Sequence, residues 1–379
     1  MSPTQAALSR KVAVVGVGTT HQGVHPGKSD YQLGVEALRL AMADAGIENR
    51  HRIDGVLGYK FYGAGIDPIE FCKLVGMEPR VTGYLDYGTG GFTTQYAAML
   101  IATGVCNLVA CVFARNPAGA MDDFSGLPNE YDLTCGFVNA GAVAALGWTR
   151  HMARYGSTEE ALGHVFVAAR KHAALNPIAA FPDRVTLAEY LAAPYVLWPF
   201  RGYDICKVTA GAVALIFSRA DRAGDFAKPP VYLLAVGRQQ TPRMLEAGDQ
   251  LLCFGMRMAA EQVYDAAGLG PADVDALFIS DASTAAVIHT LENYGFCGEG
   301  DGQDFVKDGG IELGGRLPIN TNGGQLGEGY LVGWLHHAEL VRQLRGECGL
   351  RQVSGAEVAQ YCTTGRFRQD SLSSIYVRS

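Results

Sequence analysis

The sequence predicts an α/β protein assembled from two similar halves. Three observations carry this. Short β-branched runs alternate with amphipathic stretches at helical spacing. The strand–helix–turn–strand order of the N-terminal part returns in the C-terminal part, so the repeat is a duplicated unit rather than a solenoid. With 379 residues, 48% hydrophobic and 18% charged, the chain can bury a large core. Its length suits two or three domains, or one large duplicated one.

Lys11 to Gly18 (K-V-A-V-V-G-V-G) reads as a buried strand closed by glycines. Asp30 to Ala45 follows as a helix, with Leu33, Ala37, Leu38, Ala41 and Met42 on one face. After Gly46, Ile53 to Tyr59 reads as the next strand, completing a right-handed βαβ unit. The lone G-x-G after the first strand is weak as a dinucleotide signal: no third glycine and no acidic residue close the pattern. Ala140 to Tyr155 reads as a helix ending at Gly156. Thr158 to Ala174 reads as another, capped by Ser157 and Thr158. His151, His164 and His172 fall at helical positions there and read as structural or surface histidines. Ala212 to Phe217 returns to an apolar strand. The second half then opens with a strand at Val231 to Gly237 and a helix at Met256 to Ala267, where Ala266-Ala267-Gly268-Leu269 echoes Asp44-Ala45-Gly46-Ile47. The domain reading is 1–135 for the N-terminal half, 136–205 for an insert, 206–230 for a return to the first half, and 231–379 for the C-terminal half.

The chemistry concentrates between Asn320 and Gly346. Two glycine turns, Gly323-Gly324 and Gly327-x-Gly329, deliver the chain into an amphipathic run carrying Leu335, Ala338, Leu340, Val341 and Leu344. Glycines permit positive φ, and a helix N-terminus offers unpaired N–H groups to an oxyanion. Tyr330 stands at the mouth of this arrangement. A tight turn against a neighbouring strand would need the same glycines.

The bulk numbers exclude several classes. A net charge of −7 without a dense Lys/Arg run argues against nucleic acid. No uninterrupted apolar window suits a membrane span, and the first ten residues lack the apolar core of a secretion signal. Nine cysteines, an odd number without a C-x-x-C pair, fit reduced thiols in a cytoplasm better than disulfides or a zinc site. No metal site is expected.

The string Asn320-x-x-Gly323-Gly324-x-Leu326-x-x-Gly329-Tyr330-x-x-Gly333, followed by a helix ending in Q-L-R-G, resembles the third catalytic segment of the thiolase superfamily. It is most similar to the sterol-carrier-type, lipid-transfer branch. The resemblance covers nearly the whole chain. It implies a duplicated thiolase fold: two similar βαβαβ-type halves, five αβαβα layers, and an inserted loop domain over the acyl-CoA site. In thiolases the residue after Gly329 is a catalytic histidine; here it is Tyr330. The nucleophilic cysteine of the family aligns with Tyr87, followed by Gly88-Thr89-Gly90. A phenol with an ordinary pKa near 10 forms no thioester intermediate. Cys362, in Q-Y-C-T-T-G, matches the family's second cysteine. Ile279 to Val306 resembles a further lipid-transfer segment, in which Tyr294 either packs against Phe296 or faces Tyr330 across the catalytic cavity.

These features are similar to those of the thiolase-like aldolases that shorten steroid side chains. The resemblance implies retro-aldol cleavage of a bulky β-hydroxyacyl-CoA to a ketone and a shorter acyl-CoA such as propionyl-CoA, with Tyr294 and Tyr330 catalytic. Backbone N–H groups at Ser280, Gly323 and Gly324 are the candidates for polarising the thioester, with Tyr87 and Cys362 secondary. It implies coenzyme A only as part of the substrate, a homodimer, and an OB-fold, zinc-ribbon partner completing a heterotetramer. Two alternatives stay open: an acyl-CoA thiolase using a cysteine placed elsewhere, and a non-catalytic lipid-transfer protein.

Overall fold

The computed structural model describes residues 8–61, 64–85, 89–117, 134, 140–240, 254–365 and 370–378. The N-terminal half contains β1 (Val12–Thr19), α1 (Asp30–Ala45), β2 (Gly55–Phe61), α2 (Pro68–Val75), β3 (Val81–Leu85), α3 (Gly90–Ala102) and β4 (Leu108–Arg115). An insert follows with α4 (Ala140–Tyr155), α5 (Glu159–Ala173), α6 (Leu187–Ala192) and a small hairpin of Tyr195–Leu197 with Phe200–Arg201. Then β5 (Gly211–Arg219) returns to the first half. The C-terminal half runs β6 (Val231–Gln240), α7 (Phe254–Ala267), β7 (Ala276–Ile279), α8 (Thr284–Asn293), α9 (Trp334–Arg345), β8 (Val358–Gly365) and β9 (Asp370–Val377).

The expected duplication is visible strand by strand. In the first half β3 and β2 are parallel, β2 and β4 are parallel, and β4–β5 and β5–β1 are antiparallel. In the second, β7 and β8 are parallel, while β8–β9 and β9–β6 are antiparallel. The place of β3 is taken by an extended segment whose Ile319 bridges Leu277 in parallel. The halves are not separate sheets. Ala13 pairs with Tyr232 and Val14 with Val231, so hydrogen bonding runs on through β1 and β6 into one ten-stranded sheet among the described residues, the short strand Ala64–Gly65 beside β2 being the tenth.

The layers follow from which side chains share a core. On β1, Val12 and Val14 face a large central core, whereas Ala13 and Val15 face an outer one shared with α1 and α2. A bulge between Val14 and Gly16 shifts this alternation, and Val17 rejoins the central face. A smaller outer core joins α7 to β6 and β9 through Val263, Ala266, Leu234 and Ile375. The middle layer holds α3 and α9: Trp334 stacks on Phe113 at 6.0 Å, while a Cβ on Gly91 would touch Tyr361 and Leu372.

The glycines of the first strand are packing glycines, not a phosphate loop. A Cβ on Gly18 would lie 2.1 Å from the Ala37 carbonyl oxygen, and one on Gly237, its counterpart on β6, 2.1 Å from that of Ala259. Backbone cannot yield as a side chain does. Gly18→Ala is therefore expected to destabilise the protein by about 1–3 kcal/mol. A lowered denaturant midpoint checks this; an unchanged one contradicts it.

Several local expectations hold and one does not. Helix α1 spans the expected residues because Ser29 and Gln32 form a capping box and Gly46, at φ 69°, ends it. Helix α4 also has the expected bounds. Helix α5 begins at Glu159, with Thr158 at the cap position making no side-chain capping bond. Ser157 does not cap it either: its hydroxyl bonds His151 Nδ1 at 2.7 Å. His151 and His172 are buried and structural, as expected. Burial lowers the pKa of His172, which accepts Leu313 N–H at 3.1 Å.

Candidate active site

The N-termini of α3 and α9 meet in the middle layer. Gly90 N–H donates to the Val332 carbonyl at 2.9 Å, and a Cβ on Gly90 would press on Trp334. Val332 takes φ 50°, an outlier for a β-branched residue, between Gly329 at φ 152° and Gly333 at φ 80°. Strained backbone at this point supports reading the 329–333 turn as functional.

Strands β7 and β8 end against these helix starts. Ser280, just past β7, donates its N–H to the Cys362 carbonyl at 2.9 Å. Asp281 is a buried clamp. Its Oδ1 accepts Gln325 N–H at 2.8 Å and His336 Nε2 at 3.0 Å, and its Oδ2 accepts Leu326 N–H at 3.4 Å. One carboxylate thus joins the end of β7, the short helical turn Gly324–Gly327, and α9. Gln325 extends the join, with Nε2 reaching Ser280 Oγ at 3.4 Å and Oε1 accepting Gly333 N–H at 3.1 Å.

The predicted thioester donors stand in this cluster, but their N–H groups are taken. Ser280 N–H serves Cys362, Gly323 N–H donates to the Asn320 carbonyl at 2.8 Å, and Gly324 N–H to Asn322 Oδ1 at 3.2 Å. The glycines are needed for backbone shape and close approach instead. Gly323 has φ 102°, and its Cβ would strike Ala173; Gly324 has φ 64°, and its Cβ would strike Asp281. Of this trio, the Ser280 hydroxyl is the group that points at neighbouring site residues.

Tyr294 terminates α8 and is buried, close enough to Cys362 to influence its thiol. Tyr264 donates its hydroxyl to the Tyr294 carbonyl at 3.2 Å, so the end of α8 is tied to α7. Two predicted residues, Tyr294 and Cys362, are thus brought together. Tyr330 is buried too, with its N–H on Thr209 Oγ1 at 3.0 Å and its backbone bridged to Val208. Tyr87 lies outside the described residues. Thr89, the cap residue of α3, is buried and accepts the Tyr361 hydroxyl at 3.4 Å.

Tyr361 was missed by the sequence reading although it neighbours Cys362. It packs on His337 with ring centroids 4.1 Å apart, and a Cβ on Gly333 would collide with its hydroxyl. Burial pushes Tyr361 up to about 12 and His337 down to about 4, so a neutral phenol faces a neutral imidazole. The thiols are also held protonated: burial pushes Cys72 up to about 11 and Cys297 and Cys362 to about 12. Glu328, two residues before Tyr330, is pushed up to about 7 by burial and then by the charge of Glu339, against hydrogen bonds from Asn322 and Asn176.

That shift has a defined sign. The folded protein binds the Glu328 proton more tightly than the unfolded chain, so this group's contribution to stability falls as pH rises from about 4.5 to about 7. Glu328→Gln removes the dependence. Its melting temperature relative to the wild type is expected to rise across that window and then level; a difference that stays flat contradicts the assignment.

A cavity of about 320 Å³ lies between the insert and the turn that leads to Tyr330, with Leu326 of that turn in its wall. Its walls include Phe166, Arg170, Phe181, Val196, Tyr203, Lys207 and Leu326. All but Leu326 come from the insert or the segment returning from it, and Lys207 precedes the Val208 that bridges Tyr330. Among the described residues, no group of three His, Cys, Asp or Glu is placed to hold a metal ion.

Mixed half-sheets, paired middle helices and a site at their N-termini define a thiolase-fold protein. The family described as "Thiolase C-terminal domain-like" matches residues 237–378. The 17-hydroxy-3-oxo-4-pregnene-20-carboxyl-CoA lyase of Mycobacterium tuberculosis is 34% identical, over 92% of this chain and 95% of the relative. The steroid side-chain-cleaving aldolase of Thermomonospora curvata is also 34% identical, over 90% of this chain and 92% of its own. A solved structure, "Ltp2-ChsH2(DUF35) aldolase", superposes with a TM-score of 0.90 at 31% identity, covering 98% of both chains. The chain belongs to the thiolase superfamily, in the group of the steroid side-chain-cleaving aldolases.

Proposed function

We propose that the protein is a carbon–carbon lyase that cleaves a bulky β-hydroxyacyl-CoA, with a steroid side chain as its substrate class, to a ketone and a shorter acyl-CoA such as propionyl-CoA. One observation carries the reading. The turn that brings the family's catalytic histidine to the start of α9 here brings Tyr330, whose backbone bridges Val208 next to Lys207 of the cavity wall. The residue aligned with the thiolase nucleophile is Tyr87, two positions before the Thr89 cap of α3, and a tyrosine there supplies no thiol.

A retro-aldol step suits such a site. The β-hydroxyl proton is removed, the bond between the α and β carbons breaks, and its electron pair passes into the thioester as an enolate. That enolate takes a proton at its α carbon. No covalent acyl-enzyme is needed and no cofactor beyond the coenzyme A of the substrate. Tyr294 and Tyr330 share the two proton transfers. The Ser280 hydroxyl, rather than the occupied N–H groups, hydrogen-bonds the thioester oxygen. Arg170 and Lys207 give the cavity wall positive charge suited to coenzyme A phosphates.

The relative solved as "Ltp2-ChsH2(DUF35) aldolase" pairs its aldolase with a DUF35 protein. We place an OB-fold, zinc-ribbon partner on this chain likewise, in a heterotetramer built on a homodimer. Tyr195, Val196 and Trp198 of the insert hairpin, 47–57% exposed, are apolar surface such an assembly would cover. The free thiols of the described cysteines, together with the lack among the described residues of a helix able to cross a membrane, accord with a cytoplasmic setting.

The test is incubation with a β-hydroxyacyl-CoA bearing a tertiary alcohol, with and without the partner. Ketone and shorter acyl-CoA are expected in equal amounts. Tight acyl-CoA binding without cleavage in either condition would favour the lipid carrier.

A further inference from the structure

Each candidate tyrosine is preceded, two residues earlier, by a glutamate: Glu292-Asn293-Tyr294 and Glu328-Gly329-Tyr330. Both glutamates are buried, at 5% and 3% exposure. An isolated buried carboxylate is costly, and well-packed apolar residues often stabilise a fold as well or better. Packing alone therefore gives no reason for the acid at either position.

Each has one neighbour from the insert beside a partner from the C-terminal half. Glu292 accepts His151 Nε2 at 3.0 Å on both oxygens and Gly302 N–H at 3.0 Å. His151 lies on α4, and its Nδ1 bonds Ser157. Glu328 accepts the Asn322 side-chain amide, and Asn176, whose Nδ2 donates to the Asn322 carbonyl at 2.9 Å, is close enough to favour the Glu328 carboxylate. The backbone repeats this join: Ala180 N–H donates to the Glu328 carbonyl at 2.8 Å and Phe181 N–H to that of Gly327 at 3.1 Å. His151 and Asn176 both belong to the insert, which also supplies Phe166, Arg170 and Phe181 to the cavity.

We propose that Glu292 and Glu328 are positioning residues through which the insert walling the cavity holds the two phenols in register with a bound acyl chain. The proposal rests on the reading of Tyr294 and Tyr330 given above. Neither glutamate touches the reacting atoms. Each fixes the short segment that ends in its tyrosine.

The test is cleavage kinetics of the full chain with its partner, on the tertiary β-hydroxyacyl-CoA. Glu292→Ala and Glu328→Ala are each expected to lower kcat at least about tenfold while KM moves less than about threefold. The corresponding Gln variants keep an acceptor oxygen and are expected to lose no more than about threefold. His151→Ala and Asn176→Ala reach the same contacts from the insert and carry the test if an alanine at a glutamate prevents folding. The doubles Glu292→Ala/His151→Ala and Glu328→Ala/Asn176→Ala should fall no further than the worse single variant. Losses that multiply, or a fall in melting temperature with kcat intact, overturn the proposal. Tyr294→Phe and Tyr330→Phe in the same assay separate the two claims. If both cleave like the wild type the aldolase site is misplaced, whereas if both fail while the glutamate variants keep full kcat, only the positioning idea falls.

Discussion

Tyr330→Phe is expected to lower kcat for carbon–carbon cleavage by about 10²–10⁴-fold, the usual range for loss of a positioned proton-transfer group. The substitution is clean. The main chain of Tyr330 is anchored through N–H to Thr209 Oγ1 and the bridge to Val208, and both contacts survive the substitution. Its ring is buried, and phenylalanine fills nearly the same volume. The melting temperature should stay close to that of the wild type, and KM should change far less than kcat. A variant with a third or more of the wild-type kcat would remove Tyr330 from the chemistry. Tyr361 offers no substitute, because its ring packs on His337 and its hydroxyl is bonded to Thr89.

The second large effect is on stability. Asp281→Ala is expected to destabilise the fold by about 3–5 kcal/mol, because it leaves three buried N–H donors without their acceptor, each costing about 1–3 kcal/mol. It strands His336 Nε2 and uncaps the Gly324–Gly327 turn at Gln325 N–H and Leu326 N–H. These groups lie where water does not reach, since Asp281 is 1% and His336 0% exposed. Activity should fall too, because the same turn leads into Tyr330. A thermal or denaturant midpoint within about 1 kcal/mol of the wild type would show that Asp281 is a bystander.

The sequence was most legible where one element's own pattern decides its fate. The apolar faces of α1 and α4, the glycine stop at Gly46 and the β-branched run of β1 depend on neighbours a few residues away, and all were placed within a residue or two. The duplication was legible for the same reason, as one local order occurring twice. Long-range pairing was not. That β1 and β6 join the halves into one sheet depends on only two residue pairs across the chain. The occupied N–H groups of Ser280, Gly323 and Gly324 depend on Cys362, Asn320 and Asn322, and nothing in glycine spacing reveals those bonds. Ser157 carries the residue type of a helix cap, yet a buried histidine takes its hydroxyl. In the site, the motif pointed to Tyr330 through its departure from the family pattern. Asp281 and Tyr361 were given no role in the site because a strand-end acid and a strand tyrosine look ordinary until the helices meeting over them are seen. The two Glu-x-Tyr strings were readable all along; their meaning required the histidine and asparagine that the insert sets against them.

The central claim is cleavage without a covalent acyl-enzyme, and the most direct measurement pairs two readouts in one reaction. The protein and its partner are incubated with the tertiary β-hydroxyacyl-CoA in the complete absence of free coenzyme A. Products are then quantified and the quenched protein is weighed by intact mass spectrometry. The account predicts ketone and shorter acyl-CoA at one to one over many turnovers, and protein of unchanged mass. Cleavage that waits for added coenzyme A, with an acyl adduct on the protein beforehand, would contradict it and make the enzyme a thiolase.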